Sequence, residues 1–258
     1  MQQNASTAES RDLRPGAGAD TRAPPRLRLE NLGLRAGDHD LLQNISADLA
    51  ARGISVVLGP NGAGKTLLLR LCHGLLIPTA GRVRWGALSP SQAAARIAMV
   101  FQHPLLMRRS VLANVSFALA ARGVAWRERR PRAMEALIET GLESMARRSA
   151  RRLSGGERQR LGIARVLAMG SDIVLLDEPS ANLDPQATRR VEQLVAQLRE
   201  RGSKVIMTTH DLGQARRLAD EVLFLHQGRL LEQAAAADFF AGARTPQAGA
   251  FLAGELLI

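Results

Sequence analysis

The sequence predicts an α/β fold with a mainly parallel core sheet, interrupted by a helical lobe. Three observations carry this. Short apolar runs alternate with helical patterns in the C-terminal half. A continuous apolar run, Ile54–Leu58, ends at a glycine-rich turn. Residues 103–168 turn helical and basic before the alternation resumes. Taken in order, Leu27-Arg28-Leu29-Glu30 alternates, as a strand with one solvent face does. Ile54–Leu58 has the unbroken apolar character of a buried parallel strand. A helix is expected from about Lys65 to Leu75. Pro78, Gly81 and Gly86 then punctuate short strands around Val83 and at Ile97–Val100. Within the helical block, breaks are expected at Gly123, Pro131 and Gly141. Strand and helix then alternate over 173–176, 185–199, 205–208 and 212–219. Residues 222–225 and 229–231, joined by Gln227-Gly228, read as a hairpin, and 234–243 as a short helix packed on the core.

Composition narrows the function classes. The chain has 258 residues, of which 46% are apolar, enough for a sizeable core. Its one cysteine, Cys72, excludes an intrachain disulfide and a cysteine-built zinc site, fits a reducing compartment, and reads as a mid-helix core residue. His73, His103 and His226 lack the spacing of metal ligands and read as structural. Tyrosine is absent and aromatics are 3%, against a stacking platform for single-stranded nucleic acid. The net charge is 35 − 24 = +11, and Lys65 and Lys204 are the only lysines. Residues 121–165 hold twelve arginines against five glutamates, so +7 of the excess is local. Such a face fits phosphate, an anionic membrane surface or an acidic partner, or is simply solvated. Residues 1–25 have balanced charge and no apolar run. They read as a flexible extension, not a signal peptide, and no run is long enough to span a membrane.

Gly59-Pro60-Asn61-Gly62-Ala63-Gly64-Lys65-Thr66 fits G-x-x-x-x-G-K-[ST], between an apolar strand and an apolar helix. Its glycines let backbone N–H groups close around phosphate oxygens, and the helix N-terminus adds partial positive charge. Lys65 would reach the β- and γ-phosphates, and Thr66 would ligate Mg²⁺. A second apolar run ends in Asp177-Glu178, where Asp177 can hold Mg²⁺ through water and Glu178 can orient and deprotonate an attacking water. In Leu153-Ser154-Gly155-Gly156-Glu157, Ser154 and Glu157 have capping-box spacing. The helix end with Ser154, Gly155 and Gly156 is a second anion site. Gln102 and His210 stand at strand ends, and Asp184-Pro185 has the form of a helix start.

In order, GPNGAGKT (59–66), FQ (101–102), LSGGERQR (153–160), IVLLDEPS (173–180), NLD (182–184) and TTHD (208–211) resemble the nucleotide-binding subunits of ABC transporters, over about 26–232. The resemblance implies a P-loop NTPase fold of the ABC ATPase type, with an N-terminal antiparallel β region, an inserted helical subdomain at about 103–168, and a helical tail at 233–258. It implies ATP and Mg²⁺ as cofactors and ATP hydrolysis as the reaction. Gln102 becomes the residue that touches Mg²⁺ or water and senses the transmembrane partner. His210 sits at the γ-phosphate, and Asp184 closes the loop after the acidic strand. Three positions depart from the family pattern. Leu67 replaces a hydroxyl residue that reaches the α-phosphate, Glu157 replaces glutamine, and Ala36 stands near where an aromatic residue stacks on adenine. That last change weakens base binding by roughly 1 kcal/mol.

Lys65 and Ser154 fall on different lobes, and there is one motif set with no internal repeat. The family arrangement faces them across a dimer, so the expected partner is a second ABC subunit, here a second copy of the chain. The resemblance further implies a transmembrane permease, an extracytoplasmic solute-binding protein, and a peripheral place at the cytoplasmic face of the inner membrane. Residues 103–115, HPLLMRRSVLANV, resemble the import ATPases for tungstate and related oxyanions. Two rival classes fit less well. DNA-repair and chromosome ABC ATPases insert long coiled coils, whereas Thr66 and Ser154 are 154 − 66 = 88 positions apart without heptads. Ribosome-associated ABC factors carry two motif sets per chain, so a nucleic-acid partner is not expected.

Overall fold

The computed structural model describes residues 24–255. The expected extension 1–25, apart from Pro24 and Pro25, lies outside the described residues. Two sheets form the frame. β1 (Leu27–Ala36), β2 (His39–Leu49) and β4 (Ala80–Trp85) make a small antiparallel sheet in the order β2-β1-β4. The larger sheet takes β3 (Ile54–Leu58), β5 (Ile97–Val100), β6 (Ile173–Asp177), β7 (Lys204–Thr209), β8 (Glu221–His226) and β9 (Arg229–Ala235) in the order β5-β6-β7-β3-β8-β9. It is parallel except for the terminal β8–β9 hairpin. That hairpin turns at Gln227 and Gly228, both at positive φ, as a tight two-residue turn requires.

Alternation in the central strands assigns each residue to one of two cores. Val57, Leu175 and Ile206 point toward α1 (Lys65–His73) and the small sheet. Val56, Leu176 and Met207 point toward the helical side. Both faces are covered, so these strands are apolar throughout. The second core is completed by α3 (Val111–Ala121), α4 (Trp126–Glu139), α5 (Gly155–Met169) and α6 (Pro185–Glu200). α2 (Pro90–Arg96) and α7 (Leu212–Leu218) complete the crossovers, and α8 (Ala236–Ala241) and α9 (Pro246–Leu252) follow the hairpin. Cys72 is buried beside the sheet, and burial pushes its thiol up to about 12.

Several expected boundaries move. α1 stops at His73 rather than Leu75, because Gly74 enters the left-handed region and its N–H bonds back to Arg70 and Leu71. Pro131 does not break the helical block but lies inside α4, whereas Gly123 and Gly141, both at positive φ, do end helices. A proline removes one backbone bond, and the packing of Ala133, Ala136 and Leu137 against the lobe outweighs that loss. The tail helix begins at Ala236 rather than 234, because Ala234 and Ala235 still pair with Val222 and Glu221. α2, started by a Ser89–Gln92 capping box, and β2 have no individual counterpart among the expected strands and helices, and α9 falls within the expected helical tail.

Candidate active site

The carboxyl ends of β3, β6 and β7 lie side by side. Leu58 pairs with Thr209, and Asp177 with Thr208. The loop leaving β3 therefore opens next to the acidic end of β6, the crevice where α/β sheets bind ligands. Gly59 has φ 155°, and a Cβ there would run into the Leu225 carbonyl. Gly64 caps α1 at φ 98°. These glycines leave the loop amides free to converge on an anion at the helix N-terminus.

Lys65 is 5% exposed. Its Nζ donates to the carbonyl oxygens of Gly59 at 2.9 Å and Pro60 at 3.0 Å, and lies 3.4 Å from Glu178 Oε1. Burial pulls its pKa below the usual lysine range, opposed by the nearby Glu178 and Asp177 carboxylates. Asp177 is buried, and its Oδ1 accepts from Thr66 Oγ1 and from Thr208 Oγ1, each at 2.9 Å. Thr208 Oγ1 also accepts from the Glu178 N–H at 2.9 Å. Glu178 sits at φ 43°, a conformation that L-residues adopt at a cost and that concentrates at functional sites. Its other oxygen, Oε2, is 3.3 Å from His210 Nδ1. Gln102, Asn61, Glu178 and His210 line an open cleft of about 580 Å³ together with the glycine loop.

The second helix end lies elsewhere. Ser154 Oγ accepts from the Glu157 N–H at 3.3 Å, and Glu157 Oε2 accepts from the Ser154 N–H at 2.7 Å, so the capping box closes in both directions. Asp184 Oδ1 accepts from the Ala187 N–H at 2.8 Å and caps α6. Ser154, Gly155, Gly156 and Asp184 border a different cleft of about 870 Å³. Gly156 abuts α6, where a Cβ would come within 2.9 Å of Ala187 Cβ. Thus the structure gathers Asn61 through Thr66, Gln102, Glu178 and His210 in one cleft, with Gly59 and Pro60 bonded to Lys65 and Asp177 to Thr66 behind its lining, and Ser154, Gly155, Gly156 and Asp184 in another. Asn182 borders both.

Thr66 Oγ1 and Asp177 Oδ1 form a pair of hard oxygen donors, the ligand type Mg²⁺ takes. Among the described residues no group of three His, Cys, Asp or Glu side chains could hold a metal. Phosphate and water would supply the other positions, as is usual for this ion. Thr208 was not among the expected site residues, yet it holds Asp177 and the backbone of Glu178 together. Its signals in the sequence are a hydroxyl in an apolar strand and its place at the head of TTHD.

The model of one known family, described as ABC transporter, matches residues 42–181. This chain belongs to the ABC transporter family. Among its relatives, the arginine transport ATP-binding protein ArtM of Bacillus subtilis is 34% identical over 235 residues, 88% of this chain and 98% of that one. The tungstate uptake system ATP-binding protein TupC of Peptoclostridium acidaminophilum is 35% identical over 208 residues, 80% of this chain and 97% of its own. The phosphate import ATP-binding protein PstB of Salinibacter ruber is 32% identical over 252 residues, covering 90% and 98%. Of solved structures, cbiO1 from Clostridium perfringens, part of the ABC transporter complex cbiONQ, aligns with a TM-score of 0.76 at 29% identity, covering 89% and 99%. A dimeric post-hydrolysis state of the ATP-binding cassette MJ0796, bound to ADP and Pi, aligns at 0.73 with 29% identity, covering 81% and 98%. This ABC chain is accordingly an ATP-binding, ATP-hydrolysing subunit with the α/β architecture of that family. No helix among its described residues is long and apolar enough to cross a membrane.

Proposed function

We propose that two copies of this ABC ATPase pair head to tail, each supplying the Ser154 helix end to the other's Lys65 cleft, and that the pair drives an importer of tungstate or a related oxyanion. The observation that carries the pairing is the separation of the two phosphate-directed helix ends into different clefts of one chain. In this reading residues 26–232 form the ATPase domain, with 103–168 as the helical subdomain and 233–258 as the tail.

In this reading each residue takes a role that its geometry supports. Lys65 turns from the Gly59 and Pro60 carbonyls to the β- and γ-phosphates. Thr66, Asp177 and Gln102 hold Mg²⁺, which on binding neutralises charge on the phosphates. Glu178 orients the attacking water and takes its proton, and His210 fixes Glu178 and meets the γ-phosphate. Ser154, Gly155 and Gly156 of the second copy present helix-end N–H groups to the same phosphate, and Asp184 holds the loop between the sites. A permease carries the pair at the cytoplasmic face of the inner membrane, and a solute-binding protein delivers the cargo. No nucleic acid takes part.

Support for the cargo comes from residues 103–115 and from the tungstate and phosphate relatives, both oxyanion systems by name. Deleting the gene should abolish tungsten accumulation from trace tungstate, measured by mass spectrometry, and the intact gene should restore it. Unchanged tungsten accompanied by lost arginine uptake would reject the oxyanion reading in favour of an amino acid. For the pairing, Glu178→Gln with MgATP should sediment at dimer mass. A monomer at saturating MgATP would reject it.

A further inference from the structure

The basic excess of the helical lobe is gathered by one backbone contact. Ser110 and Ser149 form an isolated antiparallel bridge, in which the Val111 N–H donates to the Arg148 carbonyl at 2.9 Å and the Ala150 N–H to the Arg109 carbonyl at 3.0 Å. The bridge sets Arg108 and Arg109, which precede α3, beside Arg147 and Arg148, which precede α5. Arg151 and Arg152 follow in the 3₁₀ turn Ala150–Arg152. All six side chains are exposed, and none has an ion-pair or hydrogen-bond partner among the described residues. Residues 103–115 and 144–156 contain these six arginines and no carboxylate. Glu143 and Glu157 flank the second stretch, and Glu157 is engaged in the Ser154 cap. The small sheet shows the ordinary arrangement instead, with Arg26 and Arg28 paired to Asp48 and Arg82 to Glu30. Interspersed charges cancel, whereas six like charges raise a positive potential that reaches about 10 Å at about 0.1 M salt.

An apolar side chain stands in the same place. Leu105, shortly before Arg108, is 79% exposed. The backbone that carries it is fixed. One face of α5 runs along the segment, and the buried Gln159 Nε2 donates to the Gln102 carbonyl at 2.5 Å. Arg165 donates to the Leu105 carbonyl at 2.8 Å and to Asn114 Oδ1 at 2.6 Å. Asn114, on α3, is 1% exposed. Its Oδ1 also accepts from the Met107 N–H at 2.9 Å, and its Nδ2 donates to the Ser110 carbonyl at 3.0 Å. Leu105 and the arginines are thus presented outward on a backbone that needs no ordering when a partner arrives.

A partner has to answer both features. Six guanidiniums without acids call for a broad anionic surface, and an exposed leucine among them calls for an apolar layer just beneath it. Anionic phospholipid supplies both. A nucleic acid has the phosphates without the apolar layer, and neither stretch holds a Phe, Tyr or Trp ring on which a base could stack. A stable protein interface needs a larger apolar centre than one leucine. We infer that this patch docks on anionic phospholipid headgroups, with the arginines on the phosphates and Leu105 inserted between them. Each arginine held near such a surface strengthens binding about fivefold. The inference goes beyond the proposed pairing and depends on neither it nor the permease.

The test is flotation of the full-length protein, without nucleotide, on vesicles of phosphatidylcholine alone or of phosphatidylcholine and phosphatidylglycerol in equal parts. The protein should bind only the second kind at about 0.1 M salt and leave it at about 1 M, where screening shortens to about 3 Å. Arg108→Glu with Arg148→Glu should weaken binding at least about 25-fold, two losses of about fivefold each, with ATPase activity in solution unchanged. Leu105→Ser should weaken it about fivefold, as partial burial of one leucine implies, and the remainder should stay salt-sensitive. Arg127→Glu with Arg130→Glu makes the same charge change at the start of α4, an 11-residue helix away. That distance of about 16 Å exceeds the screening length, so its effect should stay within about threefold. Absence of binding to the phosphatidylglycerol vesicles overturns the inference. Equal weakening by the two charge-reversed pairs also overturns it, since net charge would then be the cause. So does a protein that binds polyuridylate or polyglutamate through Arg108 and Arg148 and leaves the vesicles unbound, which assigns the patch to a nucleic acid or an acidic protein segment. None of these results bears on the pairing, which sedimentation of the Glu178→Gln protein decides.

Discussion

At the N-terminus of α1, the charge that would meet a phosphate is already engaged inside the chain. Lys65 is buried against two carbonyls and Glu178, and Asp177 is held by two hydroxyls. At the N-terminus of α5 a capped helix end with two glycines opens to a broad cleft that Arg160, Arg189 and Arg190 also line, with no buried lysine at the helix end. In the proposed reading the first site would supply the base and the metal donors, and the second would close over it from the other copy. A chain that carries each once can complete neither alone, which is the physical reason to expect a symmetric pair.

The comparison can be broken at each of its parts. The largest effect should come from Glu178→Gln, which keeps the side chain's shape and removes the base. Turnover should fall by about 10²–10⁴-fold in a phosphate-release assay, with ATP binding retained. Lys65→Ala should weaken MgATP binding by about 100-fold in calorimetry, as removal of a charged donor worth about 3 kcal/mol implies. Next, Lys65→Ala and Ser154→Arg proteins, each inactive alone, should regain activity on mixing, because one mixed pair contains one intact composite site. No recovery would mean that the two helix ends never meet. Thr208→Val should cost about 1–3 kcal/mol by leaving Asp177 short of a donor, read as a lowered Tm and roughly tenfold slower turnover. The smallest effect belongs to Ser154→Ala. Loss of the cap should lower stability by about 1 kcal/mol, a shift of roughly 2–4 °C in Tm, with MgATP affinity unchanged. An equal loss of affinity would erase the distinction between the two helix ends.

Legibility differed between the two regions for a physical reason. The Lys65 loop requires glycine where a Cβ would strike the Leu225 carbonyl, and the acidic strand end requires its two carboxylates in sequence, so both are local patterns. The capping box at Ser154 is equally local and closes in both directions. Pro131 is a local signal for a helix break, while the packing that keeps α4 continuous involves its neighbours in the lobe. Thr208 and Gln159 lie inside the TTHD and LSGGERQR segments, but nothing local gives their roles, and Arg165 and Asn114 lie outside any motif. Each is one polar residue in an otherwise ordinary element, and its importance lies in a partner 31, 57, 60 or 7 positions away in sequence.

By itself, then, the order of residues determined the strands of the large sheet, the starts of the two glycine-bearing helices and the family, because these depend on spacings of a few residues and on backbone conformations that few side chains allow. Only the tertiary structure decided that those helix ends open into separate clefts, that one threonine joins both carboxylates, and that one face of α5 grips the segment beyond Gln102. These are matters of which distant elements become neighbours, and sheet order and helix packing set them after local structure is in place.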